Sequence, residues 1–175
     1  MTYYLCSMKL PEAKDKFINA WGKLGSSWGI NRTMAQVHAL LLISPEPLSA
    51  EDIMEELKIS RGNANMNLRE LINWGLVDKE HVKGERREFF SAEKDIWKVA
   101  MQIAKERKKR ELEPVKKLLN DLLEVEGDKK NKDIKTFTTV IVDIQDLVAK
   151  ADQTLDTFIK MDENWFLGTF IKMLK

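Results

Sequence analysis

The chain has 175 residues, 43% of them hydrophobic, with 29 Lys and Arg against 28 Asp and Glu for a net charge of +1. This length and apolar content support one globular core, or a small domain with a helical extension, and exclude a disordered chain. The near-zero charge excludes nucleic-acid binding through a global basic field, so any contact with phosphate has to be local.

Eight glycines and four prolines leave long stretches free for helix, which predicts a mostly α protein. Cys6 is the single cysteine, and with only His38 and His81 beside it there is neither an internal disulfide nor a ligand set at metal spacing. No metal and no cofactor are expected. Met1 to Lys16 has no basic start followed by an apolar core, and no later run approaches the ~18 apolar residues of a membrane span. A cytoplasmic protein with no membrane partner is expected.

Along the chain, Phe17, Trp21, Leu24 and Trp28 fall on one stripe of an amphipathic helix from Ala13 to Trp28, which Gly29 ends. A second apolar helix is predicted from about Thr33 to Ile43 through Met34, Val37, Leu40 and Leu41, with His38 as a packed residue. Ser44-Pro45-Glu46-Pro47 stops it. Ser49 and Asp52 form a variant capping box for a short helix that buries Ile53, Met54 and Leu57. After Lys58-Ile59, Ser60 caps another helix, with Ala64, Leu68 and Leu71 inward and Trp74-Gly75 at its close.

Leu76 to Val82 and Arg86 to Ser91 are rich in β-formers and read as a two-stranded hairpin whose turn, Lys83-Gly84-Glu85, holds a glycine able to take positive φ. Helix resumes near Ala92, with Ile96, Trp97, Ala100, Ile103 and Ala104 on one side. The charged run Lys105 to Glu111 reads as a solvated face, and Pro114 should kink or split the helix. Leu118, Leu119, Leu122 and Leu123 extend the apolar face toward Gly127 and a charged loop, Asp128 to Lys132. Ile134, Phe137, Ile141, Ile144, Val148, Ala151, Leu155 and Phe158 then alternate spacings of three and four, a heptad seam suited to a helical bundle or a coiled coil. A last amphipathic helix is expected to carry Trp165, Phe166, Phe170, Ile171, Met173 and Leu174.

Two helices joined by a tight turn and followed at once by a hairpin make a winged helix-turn-helix, whose second helix enters the major groove of duplex DNA. Helical arithmetic turns Gly62, Asn65, Met66, Arg69 and Asn73 outward, with Asn63 at the edge and Asn67 further round. Asn suits adenine, Arg suits guanine and Met suits a thymine methyl, so Asn63, Asn65, Met66 and Arg69 form the expected reading set. Gly62 allows close backbone approach, and Ser60 and Arg61 are placed to hold a phosphate at the helix N-terminus. Lys83, Arg86 and Arg87 put three cations at the hairpin tip, diluted by Glu85 and Glu88. The plain alternative for that tip is a solvated hairpin end.

The runs Arg32-Thr33-Met34, Leu40 to Ser49, Ser60 to Arg69, Trp74-Gly75-Leu76-Val77 and Val82 to Phe90, with Glu93 to Lys98, resemble the GbsR group of MarR-type regulators over about Arg32 to Glu111. The resemblance implies a dimeric repressor or regulator with terminal helices at the dimer interface. The expected organisation is an N-terminal dimerisation helix (1–31), a winged helix-turn-helix DNA-binding domain (32–94), and a linker with C-terminal dimerisation helices (95–175).

The heptad seam and the two terminal helices hold more apolar surface than one small domain needs, which a homodimer would cover; the alternative is an intramolecular bundle. Some members of the resembling group answer to choline or glycine betaine, and aromatic cages hold such cations. Trp21, Trp28 and Trp97 are the candidate cage walls, with Tyr3 and Tyr4 behind them, against the plain reading of tryptophans packed in a core or interface. No nucleophile, base and orienting group stand together, so no enzyme is expected. The rival to a DNA-binding regulator is a winged-helix module for protein contacts without DNA binding.

Overall fold

The computed structural model describes residues 8–125 and 131–160. Tyr3, Tyr4, Cys6, Gly127, most of the charged loop and the expected helix from Trp165 to Leu174 lie outside the described residues. The chain divides into two compact units, Met1–Val99 and Ala100–Lys175.

The first unit runs α1 (Leu10–Ser27), α2 (Arg32–Ile43), β1 (Leu48–Ser49), α3 (Ala50–Leu57), α4 (Arg61–Asn73), β2 (Val77–Glu80), β3 (Phe89–Ala92) and the start of α5 (Ile96–Arg107). Side chains close the helix ends. Asn31 caps α2 by accepting the N–H groups of Thr33 and Met34 at 2.9 and 3.1 Å. Ser49 and Asp52 form the reciprocal box at the start of α3, the Ser49 N–H donating to the Asp52 carboxylate and the Asp52 N–H to Ser49 Oγ. At the far end of α2, Lys94 Nζ donates to the carbonyls of Leu41, Leu42 and Ser44 at 2.6, 3.1 and 2.7 Å. It satisfies orphan acceptors where the helix dipole is negative and ties the chain beyond β3 to α2.

Val37, Leu41, Ile53, Ala64, Leu68, Leu71 and Val77 are fully buried and form the centre of the core. On α1 the buried row is Ile18, Gly22 and Gly25, not the expected aromatic stripe. Leu24 and Trp28 are 42% and 52% exposed, and Phe17 and Trp21 are half-buried. A Cβ at Gly25 would stand 2.6 Å from that of Ala35, so α1 lies against α2 at a separation only glycine permits. Counting apolar residues passes over such a row.

The sheet is antiparallel with strand order β1-β3-β2, pairing Leu48 with Phe90 and Val77 with Ala92. The wing strands are shorter than expected, leaving His81 to Glu88 as a loop in which Gly84 takes φ 92° and the Glu85 N–H bonds the Val82 carbonyl. Beside the two-stranded hairpin stands a third strand, β1. Two residues after Pro47, the second of them the cap of α3, are too few to show an alternating pattern.

Asp95 caps α5 through the N–H groups of Trp97 and Lys98. The buried residues of α5 are Val99, Met101 and Glu106, whereas Ile96, expected on the apolar side, is 56% exposed and Ala100 is exposed. Apolar residues surround most of this helix, so composition does not select its face.

The second unit holds the rest of α5, a π-helical segment (Lys108–Leu112), α6 (Glu113–Asp121) and α7 (Lys132–Lys160). The Glu113 N–H donates to the Lys108 carbonyl five residues back. This wider turn comes just before Pro114, which then occupies the first turn of α6, where a missing N–H costs nothing. The basic run is engaged within the unit: Lys108 pairs with Asp156 and, at 2.9 Å, with Asp152, which Lys116 also reaches at 2.8 Å. The hydrogen bonds of Lys116 and Lys108 hold the Asp152 carboxyl below the usual carboxylate range.

Along α7 the heptad seam separates into two rows. Ile134, Ile141, Val148 and Leu155 are buried or half-buried, while Phe137, Ile144, Ala151 and Phe158 are exposed.

Candidate nucleic-acid interface

The turn between α3 and α4 places the candidate reading helix. Lys58 adopts a left-handed conformation (φ 53°, ψ 45°) and the Ile59 N–H bonds the Met54 carbonyl. Ser60 then starts α4, its hydroxyl accepting the Asn63 N–H at 3.3 Å. With Ala64, Leu68 and Leu71 buried, the opposite face shows Gly62, Met66 and Arg69 exposed, and Asn63 and Asn65 half-buried. No atom would meet a Cβ at Gly62 within 4 Å, so a second molecule has free access to that backbone. Arg69 Nε donates to the Asn65 carbonyl at 3.3 Å, which lays the guanidinium along the helix. A cleft of about 310 Å³, lined by Asn65, Arg69, Ile72, Lys79, Glu88 and Phe90 among others, runs between α4 and the sheet.

The charges around this face are unevenly committed. Arg61, expected to hold a phosphate, is bonded to Glu51 of α3, and that bond is the chief reason the Glu51 carboxyl lies below its ordinary range. In the wing, Arg87 Nε lies 3.4 Å from Glu85 and its guanidinium 5.4 Å from the centre of the Phe89 ring. Lys79 pairs with Glu88 at 2.8 Å. Among the described residues Lys83 and Arg86 have no ion-pair partner and both are exposed. They are the cations most ready to meet phosphate.

Sequence reasoning missed Glu51 and Asn67. Glu51 stands ten residues before its partner and on another helix. Asn67 is 2% exposed and donates from Nδ2 to the backbone carbonyl and the side-chain oxygen of Asn63 at 2.8 and 2.7 Å. The i, i+4 spacing of the two asparagines was the available signal.

The three candidate cage tryptophans are not brought into either of two clefts on this unit. The larger, about 540 Å³, is lined by Leu10, Ile18, Leu40, Pro45, Asp52 and Glu55 among others. Trp21 contacts Phe17 and His38, with ring centres 5.5 and 6.2 Å apart. Trp28 is the residue that follows α1, about two helical turns beyond Trp21, and Trp97 stands half-buried in the first turn of α5. Among the described residues no helix is long and apolar enough to cross a membrane, and no group of three His, Cys, Asp or Glu side chains could hold a metal ion.

A helix pair with a tight turn, the polar face of its second helix open and a hairpin beside it, defines a winged helix-turn-helix. Residues 28–88, from the end of α1 to the wing, match the model of the MarR family. Among solved structures the chain is similar to a protein described as a transcriptional regulator, with a TM-score of 0.55 and 18% identity, over 83% of this chain and 99% of that one. At that identity the likeness establishes the fold: mostly helical, with a small three-stranded antiparallel sheet. No curated protein matches the sequence.

Proposed function

We propose that this protein is a cytoplasmic, dimeric transcriptional regulator of the GbsR group that binds duplex DNA through α4 and the wing. It represses its target genes and answers to a small molecule such as choline or glycine betaine. The observation that carries the DNA reading is the face of α4. Its inner row is fully buried, while the outer row offers hydrogen-bonding side chains and an unobstructed Gly62 beside Lys83 and Arg86, which have no ion-pair partner among the described residues. Such a face suits base edges flanked by phosphates. Met66 is its only apolar anchor, which fits a protein hot spot poorly.

The proposed dimer rests on α7. Phe137 and Ile144 are 41% and 39% exposed, and Leu147 is 67% exposed. A second copy of the chain is the occupant that a self-complementary heptad row favours. The effector rests on the resemblance and on the half-buried or exposed tryptophans Trp21, Trp28 and Trp97, which a partner subunit would help enclose.

The test is binding of the purified protein to labelled fragments of its own upstream DNA, at low and moderate salt and against random competitor. Sequence-selective affinity that falls steeply with salt supports the reading. With Arg69→Ala, base preference should relax by roughly 1–3 kcal/mol at one position. Weak, nonselective binding to every promoter fragment, with or without quaternary ammonium compounds, would give the lead to a protein-interaction module.

A further inference from the structure

The pair Asn63–Asn67 fixes which half of an amide α4 can show to DNA. Asn67 lies in the core side of the helix at 2% exposure, where an unsatisfied amide would be costly. Its nitrogen meets that cost by donating twice. A backbone carbonyl only accepts, so the Asn67 atom 2.8 Å from the Asn63 carbonyl must be its nitrogen. The same nitrogen stands 2.7 Å from the Asn63 side chain, so the Asn63 atom there must be its oxygen. The Asn63 oxygen is thereby drawn toward the core side of the helix. Its NH2 lies on the other side of the amide carbon and has no partner among the described residues. The Asn63 backbone N–H is held as well, by the Ser60 hydroxyl.

We propose that Asn67 is a positioning residue that makes Asn63 a hydrogen-bond donor, directing this position of α4 to bases with keto groups in the major groove, guanine or thymine. The inference rests on the reading of α4 as the DNA-recognition helix. Asn recognises adenine with both halves of its amide, the oxygen accepting from N6 and the nitrogen donating to N7. With the oxygen committed to Asn67, the free NH2 is complementary to guanine O6 and N7 or to thymine O4, whereas at adenine it meets one acceptor, N7, beside the like donor N6. Cytosine shows only a donor there. Asn63 occupies the third position of α4, in the part of a recognition helix that meets base edges.

The experiment selects binding sites from a randomised duplex pool with the full-length protein and three variants, each first checked for cooperative thermal unfolding. Asn63→Ala identifies the base position that Asn63 reads, as the one whose preference disappears. At that position the wild type should prefer guanine or thymine by roughly tenfold. Asn67→Leu should reduce that preference to less than about threefold while preferences elsewhere in the site persist, which a merely structural defect would not do. Asn63→Asp, which can only accept, should reverse the preference to cytosine or adenine, and it tests the donor role even if Asn67→Leu does not fold.

A selective wild type that prefers adenine at that position overturns the inference and leaves DNA recognition standing. The same holds if Asn67→Leu folds and keeps the keto preference, if Asn63→Asp leaves the preference in place, or if no position depends on Asn63. A wild type with no sequence selection overturns the reading of α4 itself, and the inference with it.

Discussion

At the scale of single residues, the proposed binding face depends on which cations are free. Lys83 and Arg86 have no ion-pair partner among the described residues, whereas Arg61 is held by Glu51. A phosphate at the start of α4 must compete with a carboxylate already bonded there. Lys83→Ala should weaken binding to all DNA sequences alike and lower the slope of log affinity against log salt by about one for each phosphate no longer neutralised. Glu51→Gln should have the opposite effect, tighter binding with a steeper slope, because it releases Arg61. Both are read from anisotropy titrations across salt. A flat response to Lys83→Ala would remove the wing from the interface.

His38 gives a prediction about stability. It is 3% exposed, its Nε2 has no hydrogen-bond partner among the described residues, and burial, aided by the charge of Lys94, lowers its pKa from 6.5 to about 4. Between those values the unfolded chain binds the extra proton and the folded chain does not. Stability from the neutral imidazole is therefore complete above pH 6.5 and is lost as the pH falls toward 4, by roughly 3 kcal/mol across the window. Carboxylates with lowered pKa values, Asp52 among them, lose their contribution only below about pH 4.5. Urea unfolding of His38→Leu between pH 4.5 and 6.5 should thus show a much flatter dependence than the wild type. An unchanged slope would mean that other groups carry it.

Among the elements, two glycines on helices have opposite meanings. At Gly25 a methyl group would collide with Ala35 of α2 at 2.6 Å; at Gly62 it would meet nothing. Gly25→Ala should destabilise by about 1–3 kcal/mol despite its better helix propensity. Gly62→Ala should stabilise by up to ~1 kcal/mol and yet weaken DNA binding, because the methyl would stand on the face proposed to meet the duplex. Denaturant midpoints and DNA titrations on both variants check the pair. A loss of DNA affinity on Gly25→Ala with unchanged stability would contradict the packing account.

The same contrast explains what was legible in the sequence. Caps, turns and the inner row of α4 depend on residues within one or two helical turns, and Ser49, Ser60, Gly84 and the row Ala64, Leu68, Leu71 announce themselves. The α1 contact rests on the absence of side chains at Gly22 and Gly25, which a hydrophobic stripe cannot reveal. Lys94 reaches carbonyls about fifty residues away, and β1 consists of two residues that form a strand only because β3 lies beside them. On the candidate face the outward residues followed from helical geometry. The partners that set their charge and orientation, Glu51 and Asn67, depended on packing.

At the scale of the whole molecule, the division of the α7 seam decides how the chain would act. A heptad pattern states that two rows are apolar and not what covers each. Here Ile134, Ile141, Val148 and Leu155 are buried or half-buried, while Phe137, Ile144, Ala151 and Phe158 face outward. Two winged domains reading two half-sites require two chains held together, and the open row offers the apolar surface for it. Ile144→Glu places a charge in that row and leaves the residues of the wing and α4 unchanged. In sedimentation equilibrium the wild type should run as two chains and Ile144→Glu as one, with the far-ultraviolet spectrum of both helical. Binding to a palindromic site should then fall by far more than binding to an isolated half-site, since the substitution breaks the linkage between two heads and leaves the grip of each one intact. If Ile144→Glu remained a dimer with full affinity for the palindrome, the open row of α7 would not be the dimer seam, and the exposed aromatic edge of α1, with Leu24 and Trp28, would be the next surface to charge.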